Sequence, residues 1–172
     1  MTNIAIAGAA RAFAVAAAAC AGLFGAVASP TRAVGISQSP FESLAGRWTG
    51  EGRLGIKDNP PESVKCRATY IVGDTPNDLK QTIRCVTPGG GVEVMSSIRY
   101  ADGELSGSWK ETTRNIEGDL KGQVTPAGFR VAVRGGDIAA NMDIVVRGEK
   151  QIVEIQFINS TLQGLTLLMT RG

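Results

Sequence analysis

The sequence predicts an all-β protein: an antiparallel up-and-down meander of about 8–10 strands. Glycine is frequent, with 22 residues, whereas aromatic residues make up only 5% of the chain. Apolar and polar residues alternate along many short segments, and clusters of turn-forming residues separate these segments. No stretch with helical periodicity competes with this alternation. We therefore expect strands that are joined mostly by tight turns.

The first 28 residues are predicted to be a secretory signal peptide. Arg11 supplies a positive charge, an uncharged alanine-rich run covers residues 12–27, and residues 26–28 form an A-x-A cleavage signal. A cut after Ala33 is the alternative to a cut after Ala28. A membrane anchor is disfavoured because the run is barely long enough for a bilayer and alanine is only weakly apolar. We expect no transmembrane span in the mature chain.

Cysteine usage also indicates export. Cleavage would remove Cys20, which lacks the sequence context of a lipoprotein site, and would leave Cys66 and Cys85. An even number of cysteines in an oxidising compartment is typical of a disulfide. A periplasmic or secreted location is therefore expected. The mature chain divides into a lead-in segment, residues 29–43, and a single domain, residues 44–172.

The two cysteines determine the register of a predicted hairpin. Turn-forming residues fill positions 73–78 between them. If Cys66 lies opposite Cys85, the two strands separate into a mainly apolar face and a mainly polar face. The first face pairs Ala68 with Ile83, Tyr70 with Gln81 and Val72 with Leu79. A register shifted by one residue would mix the two sets, and directly opposed β-carbons are close enough for a disulfide.

The later strands follow in order along the chain. Asp102-Gly103 is the strongest short hairpin signal. Further turns are predicted at residues 125–128, 135–137 and 147–150, and the last apolar run covers residues 162–170. With a first strand over residues 46–55, the count reaches about ten, and closing the sheet into a barrel removes its edges. A two-sheet β-sandwich is the alternative.

Composition limits the chemistry that the chain can perform. It contains no histidine, which excludes Ser-His-Asp and Cys-His catalysis and any His-ligated zinc or haem. A formal net charge of +2 shows no basic excess for nucleic-acid binding. The carboxylates are scattered and indicate no pair for glycoside chemistry. We predict no catalytic residue, no metal site and no cofactor, and we do not expect an enzyme.

A short motif resembles a known family. Residues 44–52 read LAGRWTGEG and contain a G-x-W motif at positions 46–48. This resembles the start of the lipocalin-like, or calycin, barrels, which include lipocalins, fatty-acid-binding proteins and nitrobindin-like proteins. The resemblance covers roughly residues 44–171. It implies a lipocalin-like barrel in which Trp48 closes one end and Arg171 is the candidate basic residue that packs on it.

Small residues on the inward faces bear on function. Five glycines fall on faces that otherwise carry large apolar residues: Gly50, Gly52, Gly107, Gly118 and Gly122. They have two explanations, which are compatible: strongly coiled strands need glycine, and a barrel interior can be left open for a ligand.

Two functions are expected from this architecture. The first is a small exported binding protein that holds a small apolar molecule in the barrel interior. The side chains expected to line it are Tyr70, Ile98, Leu105, Trp109, Phe129, Val131 and Ile144. The second is a protein-interaction or envelope-structural module, protease inhibition included, with a filled core and an envelope protein as its partner.

Overall fold

The computed structural model describes residues 39–172, and ten strands there form one closed barrel. The strands are β1 Gly46–Ile56, β2 Glu62–Val72, β3 Asp78–Thr87, β4 Gly90–Ala101, β5 Glu104–Glu111, β6 Ile116–Thr125, β7 Gly128–Gly135, β8 Ile138–Arg147, β9 Lys150–Phe157 and β10 Leu162–Arg171. Each strand pairs antiparallel with the next, and β1 pairs with β10 to close the ring. The predicted up-and-down barrel is confirmed, and the closure excludes the β-sandwich. The predicted signal peptide lies outside the described residues.

The hairpin registers match the alternation of the sequence. Cys66 on β2 lies opposite Cys85 on β3, and the two residues form a disulfide. On β4 and β5, Ser96 lies opposite Trp109 and Tyr100 lies opposite Leu105, as a turn at Asp102-Gly103 requires. The disulfide joins residues 19 positions apart. In the chain-entropy model, a disulfide that closes a loop of this length stabilises the fold by about 3 kcal/mol, because it restricts the unfolded chain.

The apolar faces of the strands converge in the barrel interior. The buried set includes Val64, Leu79, Leu120, Val153, Leu167 and Met169. The basic side chains lie on the outside: within residues 39–172, every lysine and arginine except Arg171 is exposed. The alternation of each strand therefore produces an apolar interior and a charged outer wall.

A hydrogen-bonded turn before β1 covers one end of the barrel. The backbone N–H groups of Leu44 and Ala45 both donate to the carbonyl of Phe41, at 2.9 and 3.1 Å. The Phe41 ring stacks on Phe129 with ring centroids 5.9 Å apart. Phe41 and Leu44 are almost completely buried. The predicted lead-in, residues 29–43, thus contributes Phe41 to the core, and the first residue of the predicted domain contributes Leu44.

The inward glycines lie where a neighbouring strand comes too close for a side chain. A Cβ at Gly107 would overlap the carbonyl oxygen of Ser97 on β4, and a Cβ at Gly50 would overlap that of Leu168 on β10. Gly52, Gly118 and Gly122 show the same overlap with the strand beside them. Strong coiling of the sheet therefore accounts for these glycines.

Gly107→Ala is expected to lower the free energy of unfolding by about 1–3 kcal/mol, because β4 must move to admit the methyl group. Gly91→Ala is the matched control, since a Cβ at Gly91 meets no atom closer than 3.7 Å. Urea denaturation measures both variants. Equal effects of the two substitutions would contradict the close-approach explanation.

Candidate functional site in the barrel interior

One end of the barrel, named here the closed end, is sealed around Trp48. The Trp48 side chain is fully buried, and its Nε1–H donates to the carbonyl of Leu44 at 2.7 Å. The Arg171 guanidinium lies over the Trp48 ring, 4.6 Å from its centroid. The same guanidinium donates to the carbonyls of Ser43, at 2.7 Å, and Ala45. A cation–π contact and two hydrogen bonds to the preceding turn thus hold this end shut.

The residues expected to line a ligand site occupy different depths of the interior. Tyr70, Leu105, Phe129 and Ile144 lie near the strand ends on the Trp48 side, where they pack in the buried cluster. Trp109 and Val131 lie further along their strands and are also buried. The remaining residue, Ile98, is partly exposed.

The opposite end of the barrel, named here the open end, exposes part of its apolar lining. It carries the turns β1–β2, β3–β4, β5–β6, β7–β8 and β9–β10. The inward side chains that remain partly exposed on this side are Leu54, Val92, Val94, Ile116, Val133, Ile138, Ile155 and Leu165. Ile83 and Met142, which lie deeper in their strands, are partly exposed as well. Eight strands enclose a space that side chains just fill, so ten strands enclose more.

A buried polar pair lies near the closed end. Gln151 on β9 is 1% exposed, and its Nε2–H donates to the Tyr70 hydroxyl at 3.3 Å. The Gln151 Oε1 atom is buried without a hydrogen-bond partner among the described residues. Burial raises the pKa of Tyr70 to about 12, and the hydrogen bond from Gln151 opposes this only in part. The Tyr70 hydroxyl is therefore uncharged at neutral pH, and the Gln151 amide carries no charge at any pH.

Two further polar side chains stand beside this pair on the inner wall. Tyr70 lies opposite Gln81 on β3, and Gln81 lies opposite Ser96 on β4. Gln81 is partly exposed and Ser96 is 8% exposed. Because opposed residues of paired strands point to the same face, these three side chains form a neutral polar row within the apolar lining.

Glu111 at the end of β5 is a buried carboxylate with a structural role. Its Oε1 accepts from the Thr113 N–H at 2.7 Å, and its Oε2 accepts from the Arg114 N–H at 2.8 Å and the Arg114 Nε–H at 3.3 Å. Burial by itself would raise the pKa, but the hydrogen bonds from Arg114 and Thr113 outweigh it and lower the pKa of Glu111 to about 2. This carboxylate holds the β5–β6 turn.

Glu111→Gln is expected to lower the free energy of unfolding at pH 7 by about 1–3 kcal/mol, because an amide NH₂ would face a backbone donor. The folded-state pKa of Glu111 lies below the ordinary value of 4.5. Its contribution is therefore complete above about pH 4.5 and is lost as the pH falls towards 2. Urea denaturation between pH 7 and pH 3 should show the difference between variant and wild type narrowing at the acid end.

The exposed Glu104 on the same strand provides the control. Glu104→Gln should change the unfolding free energy little at any pH in this range. A loss from Glu104→Gln as large as that from Glu111→Gln would contradict the assigned role.

Gln151 and Glu111 were not identified from the sequence. Their positions within the strands do indicate inward side chains. Gln151 lies two positions before inward Val153, and Glu111 lies two positions after inward Trp109. Their inward orientation is not recognised from residue type, because charged and amide side chains usually lie on the solvated face.

Other features of the described residues do not form a competing site. Two depressions mark the outer wall, one beside Asp78, Lys80 and Arg99 and the other beside Glu51 and Arg53. Both are open and bordered by charged side chains, unlike an apolar ligand pocket. Residues 39–172 contain no group of acidic or cysteine side chains placed to hold a metal ion. No helix of sufficient length and apolarity to cross a membrane occurs in this part of the chain.

The fold and the interior together define a closed ten-strand antiparallel β-barrel. The Trp48–Arg171 contact lies at one end, and most of the partly exposed inward apolar side chains lie towards the other. No protein-family model matches the chain, and no curated protein has a significantly similar sequence. Among solved structures, it is similar to the crystal structure of Rv2717c from M. tuberculosis. The TM-score is 0.64 at 14% sequence identity, over 77% of this chain and 94% of that chain. This likeness concerns the fold.

Proposed function

We propose that the chain is an exported, lipocalin-like binding protein that holds a small apolar molecule inside its barrel. The observation that carries the proposal is the partial exposure of inward aliphatic side chains at the open end, from Leu54 at the rim to Met142 deeper inside. Apolar surface left accessible in a concave site is the usual form of a small-molecule site. A filled-core interaction module, the alternative, would bury the deeper of these side chains, Ile83 and Met142.

The buried residues of the closed end give the site a floor. Trp48, Phe41 and Leu44 are 0%, 1% and 3% exposed, so a ligand would enter and leave through the open end. Tyr70, Leu105, Phe129 and Ile144 would contact the inner part of the ligand, and Ile98, Trp109 and Val131 would line its sides. The proposal assigns no catalytic step to any of them.

Export to the periplasm or beyond forms part of the proposal. Its support is the Cys66–Cys85 disulfide, because such bonds persist in oxidising compartments, together with the leader-like residues 1–28. The G-x-W motif at positions 46–48 and the barrel closure support a calycin-like relationship.

The test is to incubate the purified mature chain with a lipid extract, re-isolate it and analyse the bound material by mass spectrometry. We expect a small apolar molecule to be retained. Val94→Trp should reduce retention about tenfold or more because the indole would fill the open end. Val86→Trp is the matched control, since Val86 is 57% exposed on the outer wall. Both variants must keep the wild-type circular-dichroism spectrum.

Absence of any bound molecule in the wild-type chain would contradict the proposal. Equal losses in the Val94→Trp and Val86→Trp variants would place the ligand outside the barrel interior.

A further inference from the structure

Gln151 carries an unpaired polar atom in the apolar interior. The Gln151 side chain is 1% exposed. Its Nε2–H group donates to the Tyr70 hydroxyl at 3.3 Å, and its Oε1 atom has no hydrogen-bond partner within residues 39–172. Rotating the amide by 180° would leave the nitrogen unpaired instead. A buried polar group without a hydrogen bond destabilises a fold, whereas leucine would fill the same space without that cost. The amide therefore has a hydrogen bond available for a group that is not part of the described chain.

The inner wall offers no cation to a ligand. Every lysine and arginine of residues 39–172 is exposed except Arg171, and the Arg171 guanidinium is engaged by Trp48, Ser43 and Ala45. A buried anion needs a paired cation, because desolvating an isolated charge is too costly.

The inner wall is equally unsuited to a cationic ligand. Both Glu111 oxygens are occupied by donors from Thr113 and Arg114. The remaining polar groups of the wall, Tyr70, Gln81 and Ser96, are neutral donors or acceptors.

We infer that the ligand is an electrically neutral apolar molecule with one N–H or O–H group, and that Gln151, with Tyr70 beside it, receives this group by hydrogen bonding. The inference rests on the proposed function and specifies the ligand class of the same interior.

Two fluorescent probes with the same anilinonaphthalene skeleton test the charge requirement. N-phenyl-1-naphthylamine is neutral and carries one N–H group, whereas 8-anilino-1-naphthalenesulfonate adds a sulfonate. Each is titrated into the mature chain at pH 7, and the increase in probe fluorescence is followed. The neutral probe should bind about tenfold tighter or more, because no interior cation offsets desolvation of the sulfonate.

A pair of variants tests whether Gln151 forms a hydrogen bond with the probe. Gln151→Leu should weaken N-phenyl-1-naphthylamine about fivefold through loss of one hydrogen bond. Gln156→Leu, on the outward face of the same strand β9, should leave the affinity unchanged. The double variant Gln151→Leu/Tyr70→Phe removes both buried polar partners and should bind like Gln151→Leu. Thermal melting confirms that each variant is folded.

The outcomes separate this inference from the proposed function. If neither probe binds the wild-type chain, the proposed binding function fails. If the sulfonate probe binds as tightly as the neutral probe, the binding function stands and the neutral ligand class is overturned. If only the neutral probe binds tightly and Gln151→Leu leaves its affinity unchanged, the assignment of Gln151 is overturned.

Discussion

The pairing of β1 with β10 is the constraint on which the rest of the structure depends. It runs from Trp48 opposite Arg171 to Ile56 opposite Leu162 and turns an open meander into a ring. Without it, both strands would present unpaired edges to solvent. The same register places the Arg171 guanidinium over the Trp48 ring, so the residues that complete the ring also seal one end. The β1–β10 pairing therefore both closes the barrel and makes its Trp48 end different from the opposite end.

Closure determines what the interior can do. A ring of ten strands must coil strongly, and glycines such as Gly107 and Gly50 permit the close approach of neighbouring backbones. Glycines at inward positions also remove side-chain volume from a barrel that is wider than eight strands would make it. The side chains of Phe41 and Leu44 are buried at the closed end, and most of the partly exposed apolar lining lies towards the other end. The apolar lining and the neutral Gln151–Tyr70 pair are the basis of the proposed uncharged ligand.

Local features of the fold could be predicted from the sequence, whereas long-range features could not. Alternation around Cys66 and Cys85 determines a hairpin register because the interacting strands are adjacent in the chain. The β1–β10 pairing joins residues more than a hundred positions apart, and alternation contains no information about such partners; the Arg171 candidate came from family resemblance. Because strands tilt in a barrel, the position of an inward residue along its strand does not by itself say how much the other strands bury it. Alternation therefore cannot distinguish buried Phe129 from partly exposed Ile155. Polar inward residues such as Gln151 break the pattern by which inward positions are recognised.

Crystals of the mature chain under xenon pressure test most directly whether the barrel interior is open. Xenon occupies apolar cavities and finds no site in a close-packed core. If the interior is open, xenon density is expected against the inner wall near Ile83 and Met142, on the side of the interior away from Trp48. An interior filled by its own side chains, with no xenon inside the ring of strands, would contradict it.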